Sequence, residues 1–252
     1  MDKNSSPNDP NSDTPTVASR DASQQATPRW HYLVLAGILL LAIFLHFYRL
    51  DQDGFANLYY AAAVNSMLTS WHNFFFVSFD PGGFVSVDKP PLGLWVQVAS
   101  AFIFGFQGWS LLLPQALAGV LSVALLYYLV RRVFGSSAGL IAALVLAATP
   151  ISIAANRNNT MDSLLVLTSL LAAWAASLAA ERGRLRWLLV CAVLVGLGFN
   201  IKMLQAFMIL PAVFLIYLTA PLRWWKRLLH LVLATVVLAV VAFGIGLGIL
   251  VR

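Results

Sequence analysis

The chain has 252 residues, of which 60% are hydrophobic and only 10% charged, and its mean hydropathy is +0.80. Soluble domains carry about 25% charged residues, so these values exclude a soluble globular enzyme and a disordered chain and indicate an integral membrane protein. The formal charge of +6 is explained below by membrane topology, and no nucleic-acid partner is expected. A single cysteine, Cys191, excludes a disulfide framework and a cysteine-based metal site.

Residues 1–29 form a polar tail rich in Asp, Asn, Ser, Pro and Gln. A segment of this composition cannot bury enough apolar surface to fold, so we predict a disordered tail. It lacks the basic, apolar and cleavage regions of a signal peptide. Residues 30–252 are predicted to form one membrane-embedded domain.

Seven later stretches have the apolar character and approximate length of membrane spans. They are about 31–48, 110–130, 137–155, 161–180, 187–201, 203–220 and 229–250. The stretch 91–106 is ambiguous, because it begins with a proline pair and contains Gln97 and Ser100. The sequence therefore predicts an all-α, multi-span helical bundle in the lipid bilayer.

The distribution of Lys and Arg indicates how 91–106 lies. If this stretch is an interfacial helix, eleven Lys and Arg residues fall on one side of the membrane and five on the other. The positive-inside rule then places the N-terminus in the cytoplasm. Counting 91–106 as a span would separate the tail from the other basic clusters. We therefore predict an interfacial helix at 91–106 within a long outer loop over about 51–109.

Within this loop, apolar residues recur at helical spacing from Tyr60 to Trp71. The pattern fits a helix lying in the lipid headgroup layer and equally a helix packed on the transmembrane bundle. Either arrangement holds the loop against the membrane.

Three outer cations, Lys89, Arg157 and Lys202, run against the topological trend. Ionisable groups at membrane depth are costly and usually mark a site, and converging Lys and Arg suit an anionic ligand such as a phosphate. A fifth span of about 15 residues reaches only about 22 Å, so Lys202 is expected in a cavity below the outer surface. For Arg157, a purely structural ion pair with Asp162 is the alternative.

The acidic residues of the same side could act as a general base or as metal ligands. Asp51 and Asp53 resemble a metal-binding DxD pair, although a solvated helix cap is the simpler interpretation. No cofactor is predicted with certainty, and a divalent metal is compatible with these residues but not required.

Three motifs on this face resemble one known family. The first motif lies in the long outer loop and consists of three runs: Asn57-Leu-Tyr-Tyr60-Ala-Ala-Ala-Val64, Ser78-Phe-Asp80-Pro-Gly-Gly-Phe84 and Val87-Asp88-Lys89-Pro-Pro-Leu-Gly93. The second motif is Asn156-Arg157-Asn-Asn159-Thr-Met-Asp162. The third motif is Gly198-Phe-Asn-Ile-Lys202. In this order they resemble GT-C-type membrane glycosyltransferases, namely the protein mannosyltransferases and lipid A aminoarabinose transferases. The resemblance covers about 45–252 and implies the GT-C helical bundle with interfacial helices in the first outer loop.

The resemblance also implies roles for single residues. Lys89 would contact the phosphate of a polyprenyl-phosphate sugar donor, and Arg157 and Lys202 would complete the phosphate site. Further substrate contacts are expected from Asn57, Tyr60, Asn159 and Asp162.

One departure concerns the catalytic base. Many relatives carry an Asp-Glu pair where this chain has Ala56-Asn57, and neither residue can accept a proton usefully. The base would then be Asp80 or Asp88. We favour Asp80, because Asp88 is expected to pair with its neighbour Lys89.

The predicted function is glycosyl transfer from such a donor to a protein, lipid or cell-wall acceptor at the outer face of the plasma membrane, with inversion at the anomeric carbon. A flippase or permease for an anionic solute and a non-catalytic membrane partner are the alternatives. Polar residues gather at the outer ends of the spans, which favours an enzyme over a transporter. Relatives have about eleven or more spans, so we expect this chain to represent an N-terminal portion.

Overall fold

A computed structural model describes the backbone of residues 29–250 and the side chains of residues 30–245. The predicted disordered tail lies outside the described residues, apart from Arg29. Within the described range the chain forms eleven α-helices and no β-strand. They are α1 (Arg29–Phe47), α2 (Leu58–Met67), α3 (Trp71–Phe75), α4 (Pro91–Phe104), α5 (Gly108–Phe134), α6 (Ser136–Ala148), α7 (Pro150–Asn156), α8 (Asp162–Arg182), α9 (Leu185–Lys202), α10 (Leu210–Leu218) and α11 (Trp224–Leu250).

Five helical stretches of the described residues are long and apolar enough to cross a membrane: 30–53, 108–134, 162–182, 185–218 and 224–245. The helices α6 and α7 count as a sixth if they are taken as one span that is bent by 62° at Thr149 and Pro150. Proline lacks an N–H and disfavours the helical conformation of the residue before it, and Thr149 is extended at this point. The helical bundle predicted from the sequence is therefore confirmed.

The seven predicted spans exceed the five qualifying stretches at two places, the bent pair α6 and α7 and residues 185–218, where one stretch covers two predicted spans. After α9, Met203 adopts a positive φ of 50°, and the chain continues as a 3-10 helix (Met203–Ile209) before α10. The stretch reverses here, as shown by the two ends lying close together: a Cβ atom built on Gly183, before α9, would lie 3.2 Å from the side chain of Leu222, after α10. The two predicted spans 187–201 and 203–220 are thus the arms of one hairpin, and the returning arm contains only nine residues of α-helix.

We call the loop end of the bundle the end at which α1 and α9 finish and α5 and α8 begin. The segment between α1 and α5 lies here, with the turn between α7 and α8. The opposite end carries the basic clusters, where Arg132 forms an ion pair with Glu181. The remaining basic residues near this end are Arg131, Arg182, Arg184, Arg186, Arg223, Lys226 and Arg227.

The loop segment packs on the bundle through its own apolar core. In α2, Tyr60, Val64 and Met67 are buried, whereas Trp71 at the start of α3 is 77% exposed. Leu94 and Val98 of α4 belong to the same core, together with Met161 and Ile201. The apolar face of α2 is therefore covered by protein, which supports the packed arrangement over a helix lying in the headgroup layer. At 14 residues, α4 is shorter than the five qualifying stretches.

Candidate functional site

Three segments distant in sequence meet at the loop end: the start of α4, the start of α8 and the end of α9. Gly93, in the first turn of α4, lies at this contact. A Cβ atom built on Gly93 would lie 3.0 Å from Cβ of Met161 and 3.6 Å from the carbonyl oxygen of Ile201. The Asp88–Lys89 motif immediately precedes α4, and Asp162 and Lys202 follow Met161 and Ile201 directly. The fold therefore gathers all three sequence motifs into one region.

Asn159 ties this region together. Its side chain is completely buried. The Asn159 carboxamide accepts a hydrogen bond from the backbone N–H of Asn57 (2.9 Å) and donates one to the carbonyl oxygen of Asn57 (3.0 Å). Gln97 of α4 donates to the Asn159 carbonyl oxygen at 2.7 Å. Asn159 is thus committed to internal hydrogen bonds, although the sequence suggests it as a substrate contact.

The side chain of Asn57 caps the helix that follows it. Its side-chain oxygen accepts a hydrogen bond from the backbone N–H of Tyr59 at 3.0 Å and so caps the N-terminus of α2. Asparagine is a preferred residue at this position, because it satisfies a backbone N–H that lacks a partner within the helix. The cap fixes the orientation of α2, which carries Tyr60 toward Lys89.

Lys89 is held as a cation. Its ammonium donates to the Asp88 carboxylate at 2.7 Å, which confirms the pairing expected between these neighbours. The hydrogen bond to Asp88 is the main cause that raises the pKa of Lys89, and the nearby Tyr60 hydroxyl adds to it. The hydroxyl of Tyr59 accepts the backbone N–H of Asp88 at 3.4 Å. The Lys89 side chain is still 28% exposed, so an anion in solution can reach it.

Lys202 pairs with Asp162 across α9 and α8. No acid lies near Lys202 in sequence, and the alternative ion pair considered for Asp162 is with Arg157. Asp162 pairs with Lys202 instead, because the ends of α8 and α9 lie side by side and bring together residues 40 positions apart. The Lys202 side chain is 21% exposed and that of Asp162 is 39% exposed.

Arg157 forms hydrogen bonds with the carbonyl groups at the end of α1. Its guanidinium donates to the carbonyl oxygens of Tyr48 (2.7 Å), Leu45 (3.2 Å) and Arg49 (3.5 Å) and forms an ion pair with Asp53 at 2.7 Å. The last carbonyl groups of a helix have no partner within the helix, and a basic side chain can satisfy them. Arg157 is thus occupied by contacts within the protein. Asp53 has a specific ion-pair role, in contrast to the simple solvated cap suggested by the sequence.

Asp80 organises a turn. Its carboxylate oxygens accept the backbone N–H groups of Val85 (2.7 Å) and Phe84 (3.1 Å). These hydrogen bonds hold the pKa of Asp80 below its ordinary value. A carboxylate with occupied oxygens and a lowered pKa is a weaker proton acceptor than a free one, so the geometry favours a structural role for Asp80 over the role of base.

A cavity of about 480 Å³ opens beside Asp162, between α5, the bend of α6 and α7, and α8. Its polar lining comprises Ser122, Thr149, Ser152, Asn156, Asp162 and Ser163. Among residues 30–245, no three His, Cys, Asp or Glu side chains come together in an arrangement that could hold a metal ion. The pair Asp51 and Asp53 therefore has no third ligand of these types within that range.

Comparisons with known proteins identify the family and the fold. The family model described as dolichyl-phosphate-mannose-protein mannosyltransferase matches residues 88–245, which is more than half of the chain. The chain belongs to this family. The GT-C resemblance seen in its sequence motifs is thereby confirmed.

Two curated proteins of Bacillus subtilis (strain 168) are similar over most of the chain. "Putative mannosyltransferase YycA" is 53% identical over 201 residues, which cover 80% of this chain and 29% of that protein. "Putative mannosyltransferase YkcB" is 51% identical over 213 residues, which cover 84% of this chain and 30% of that protein. The chain therefore spans about 30% of the length of these relatives.

Two solved structures share the fold. ArnT from Cupriavidus metallidurans in the apo state superposes with a TM-score of 0.68 and 26% identity, over 89% of this chain and 42% of that chain. ArnT bound to undecaprenyl phosphate gives a TM-score of 0.63 and 26% identity, over 90% and 42%. The GT-C fold expected from the sequence is therefore confirmed.

Proposed function

We propose that this protein takes part in the transfer of a glycosyl group from a polyprenyl-phosphate-linked sugar to an acceptor, at the outer face of the plasma membrane. The loop end of the bundle then faces outward, and the N-terminus and the basic opposite end face the cytoplasm. The solved structure of the related ArnT with undecaprenyl phosphate supports this class of donor.

The observation that carries the proposal is that the segments bearing Lys89 and Lys202 meet at the loop end, where Gly93 approaches Met161 and Ile201. Each ammonium is paired with a single carboxylate, and each side chain is partly exposed. Lysine supplies a mobile point charge that suits a phosphate group. Arg157 is left out of the proposed phosphate site, because its guanidinium already has four partners at the end of α1.

The proposed mechanism is direct displacement at the anomeric carbon. The acceptor hydroxyl attacks that carbon while the bond to the phosphate oxygen breaks, which inverts the configuration. A carboxylate takes the hydroxyl proton as general base, and Lys89 and Lys202 stabilise the negative charge on the departing phosphate. Of the two candidate bases we favour Asp88: Lys89 contacts its Oδ2, but its side chain is 58% exposed, whereas backbone N–H groups occupy both oxygens of Asp80.

The test is sugar release from radiolabelled polyprenyl-phosphate hexoses by membranes that contain the protein. We expect turnover by the wild type and a loss of about ten- to one-hundredfold in Lys89→Ala, because a charge-assisted hydrogen bond to the phosphate disappears. Glu181→Gln is the matched control, since it removes a charge from an ion pair at the opposite end. Equal turnover by Lys89→Ala and wild type would exclude this site.

The same assay, combined with a measurement of donor binding to the same membranes, separates the alternative functions. Binding of the donor without sugar release, unchanged in Asp88→Asn, would indicate a flippase or a non-catalytic partner. Release by the wild type with a clear loss in Asp88→Asn would support an enzyme whose base lies in the loop before α4.

A further inference from the structure

The ion pair between Lys202 and Asp162 differs from the other ion pair of the site. Lys89 and Asp88 are neighbours in sequence, so their pairing is local and cannot be separated by a movement of helices. Lys202 and Asp162 come from different helices, and within residues 30–245 Asp162 is the only polar partner of the Lys202 ammonium. A lysine has three N–H donors and no acceptor, so two donor positions on Lys202 lack protein partners in this range.

The carboxylate of this pair is the more accessible partner. Asp162 is 39% exposed against 21% for Lys202, and it lines the cavity of about 480 Å³ beside α8. The exposed carboxylate can therefore turn toward water without becoming a buried, unpaired charge. A partly exposed ion pair contributes little net stability, which makes it replaceable by a stronger anion.

We propose that the donor phosphate displaces Asp162 from Lys202, so that Asp162 is an exchangeable counter-ion that holds the lysine until the donor binds. This inference rests on the proposed function, because it assumes that a polyprenyl phosphate reaches Lys202. The phosphate and the carboxylate are both anions and both require the same ammonium group. Asp162 is thus a positioning residue that competes with the donor, in contrast to the substrate contact suggested by the sequence motif.

The competition gives binding effects of opposite sign for the two partners. Removing the Asp162 charge should strengthen the binding of a polyprenyl phosphate, whereas removing the Lys202 charge should weaken it. A residue that contacts the donor directly, or that holds it through a bridging cation, would instead weaken binding when replaced. The direction of the change in Asp162→Asn therefore distinguishes the two roles.

The experiment is a titration of undecaprenyl phosphate into the whole chain in lipid nanodiscs, with tryptophan fluorescence as the readout. We expect the Kd of Asp162→Asn to fall by at least about threefold, the scale of a partly exposed ion pair, and the Kd of Lys202→Met to rise. In the double variant Asp162→Asn with Lys202→Met, the Kd should equal that of Lys202→Met alone. Tighter binding by the double variant than by Lys202→Met would show simple charge repulsion and overturn the exchange.

Two controls separate the possible failures. Glu181→Gln makes the same charge change at the opposite end and should leave the Kd unchanged. If wild type does not bind undecaprenyl phosphate, the proposed function and the exchange both fail. If wild type binds and Asp162→Asn binds equally or more weakly, the exchange is wrong while the proposed function stands.

Discussion

The side chain of Asn159 forms two hydrogen bonds with the backbone of Asn57, although the two residues lie 102 positions apart. The carboxamide of Asn159 accepts the N–H of Asn57 and donates to its carbonyl oxygen. No other common side chain of this length carries one donor and one acceptor in this geometry. The contact joins the turn before α8 to the residue that caps α2, and so connects the helix whose Asp162 pairs with Lys202 to the helix whose Tyr60 lies near Lys89.

We expect Asn159→Ala to destabilise the protein. The substitution leaves the N–H of Asn57 without its partner, whereas the Asn57 carbonyl keeps the backbone N–H of Ala61, and an unsatisfied buried group costs about 1–3 kcal/mol. The thermal midpoint in detergent should fall clearly. Asn158→Ala, in the same turn, is the control, because the Asn158 side chain makes only one local hydrogen bond, to the N–H of Thr160. Equal midpoints for the two variants would contradict the role of Asn159.

Arg157 offers a test between two roles. If it only fixes the end of α1, Arg157→Lys should lower the free energy of unfolding by about 1–3 kcal/mol, because lysine cannot reproduce the planar fork of donors. The affinity for undecaprenyl phosphate, measured with the folded protein, should change little. Loss of affinity without loss of stability would return Arg157 to the phosphate site expected from the sequence.

The partner of Arg157 supplies the matched control for that measurement. Asp53→Asn removes the ion pair but leaves the three carbonyl contacts of the guanidinium. We expect a smaller loss of stability than in Arg157→Lys. The double variant should lose less than the sum of the single variants, because both changes affect one cluster.

Asp80→Asn should loosen the turn at 80–85 and reduce sugar release less than tenfold. Removal of a general base typically costs about one hundred- to ten thousandfold in rate, and we expect a loss of that size only in Asp88→Asn. Rates measured for the two variants under identical donor concentrations give the comparison. A larger loss in Asp80→Asn than in Asp88→Asn would restore Asp80 as the base favoured by the sequence.

The same carboxylate predicts a pH dependence of the turn. Backbone N–H groups hold the pKa of Asp80 below its ordinary value, so the folded turn favours the ionised form. Its contribution is complete above the ordinary pKa of about 3.9 and is lost as the pH falls from there through the lowered pKa. In wild type, the protection of the Phe84 and Val85 amides against hydrogen exchange, relative to the intrinsic exchange rate at each pH, should decrease over this range. In Asp80→Asn the protection should not depend on pH there.

The sequence predicts the parts of this site that depend on local chemistry. Asp88 and Lys89 are adjacent, so their pairing follows from the sequence alone. The partners of Arg157 and Lys202 could not be predicted in this way, because they depend on which helix ends lie side by side. Arg157 reaches Asp53 and Lys202 reaches Asp162, and only the packing of α1, α8 and α9 decides these choices.

The span pattern shows the same division. Apolar composition locates the hydrophobic stretches well, because burial in lipid requires it along the whole stretch. It does not show that the chain bends at Thr149, since that depends on a single backbone position, whereas the two separate predicted spans 187–201 and 203–220 already imply the reversal near Met203. In the sequence, Gln97 indicates only that 91–106 is an unusual membrane span. In the structure its buried amide forms a hydrogen bond that joins α4 to Asn159.

Gly93→Ala tests whether the close approach of α4 to Met161 sets the geometry of the site. The added Cβ would overlap the buried Met161 side chain, and overpacking of this kind costs about 1–3 kcal/mol. We expect a lower thermal midpoint and reduced sugar release, because α4 must move away from the ends of α8 and α9. Gly37→Ala is the control: no atom lies within 4 Å of its added Cβ, so alanine in α1 should be neutral or slightly stabilising. If Gly93→Ala instead retains both the wild-type midpoint and the wild-type rate, the contact between α4 and Met161 does not determine the position of Lys89.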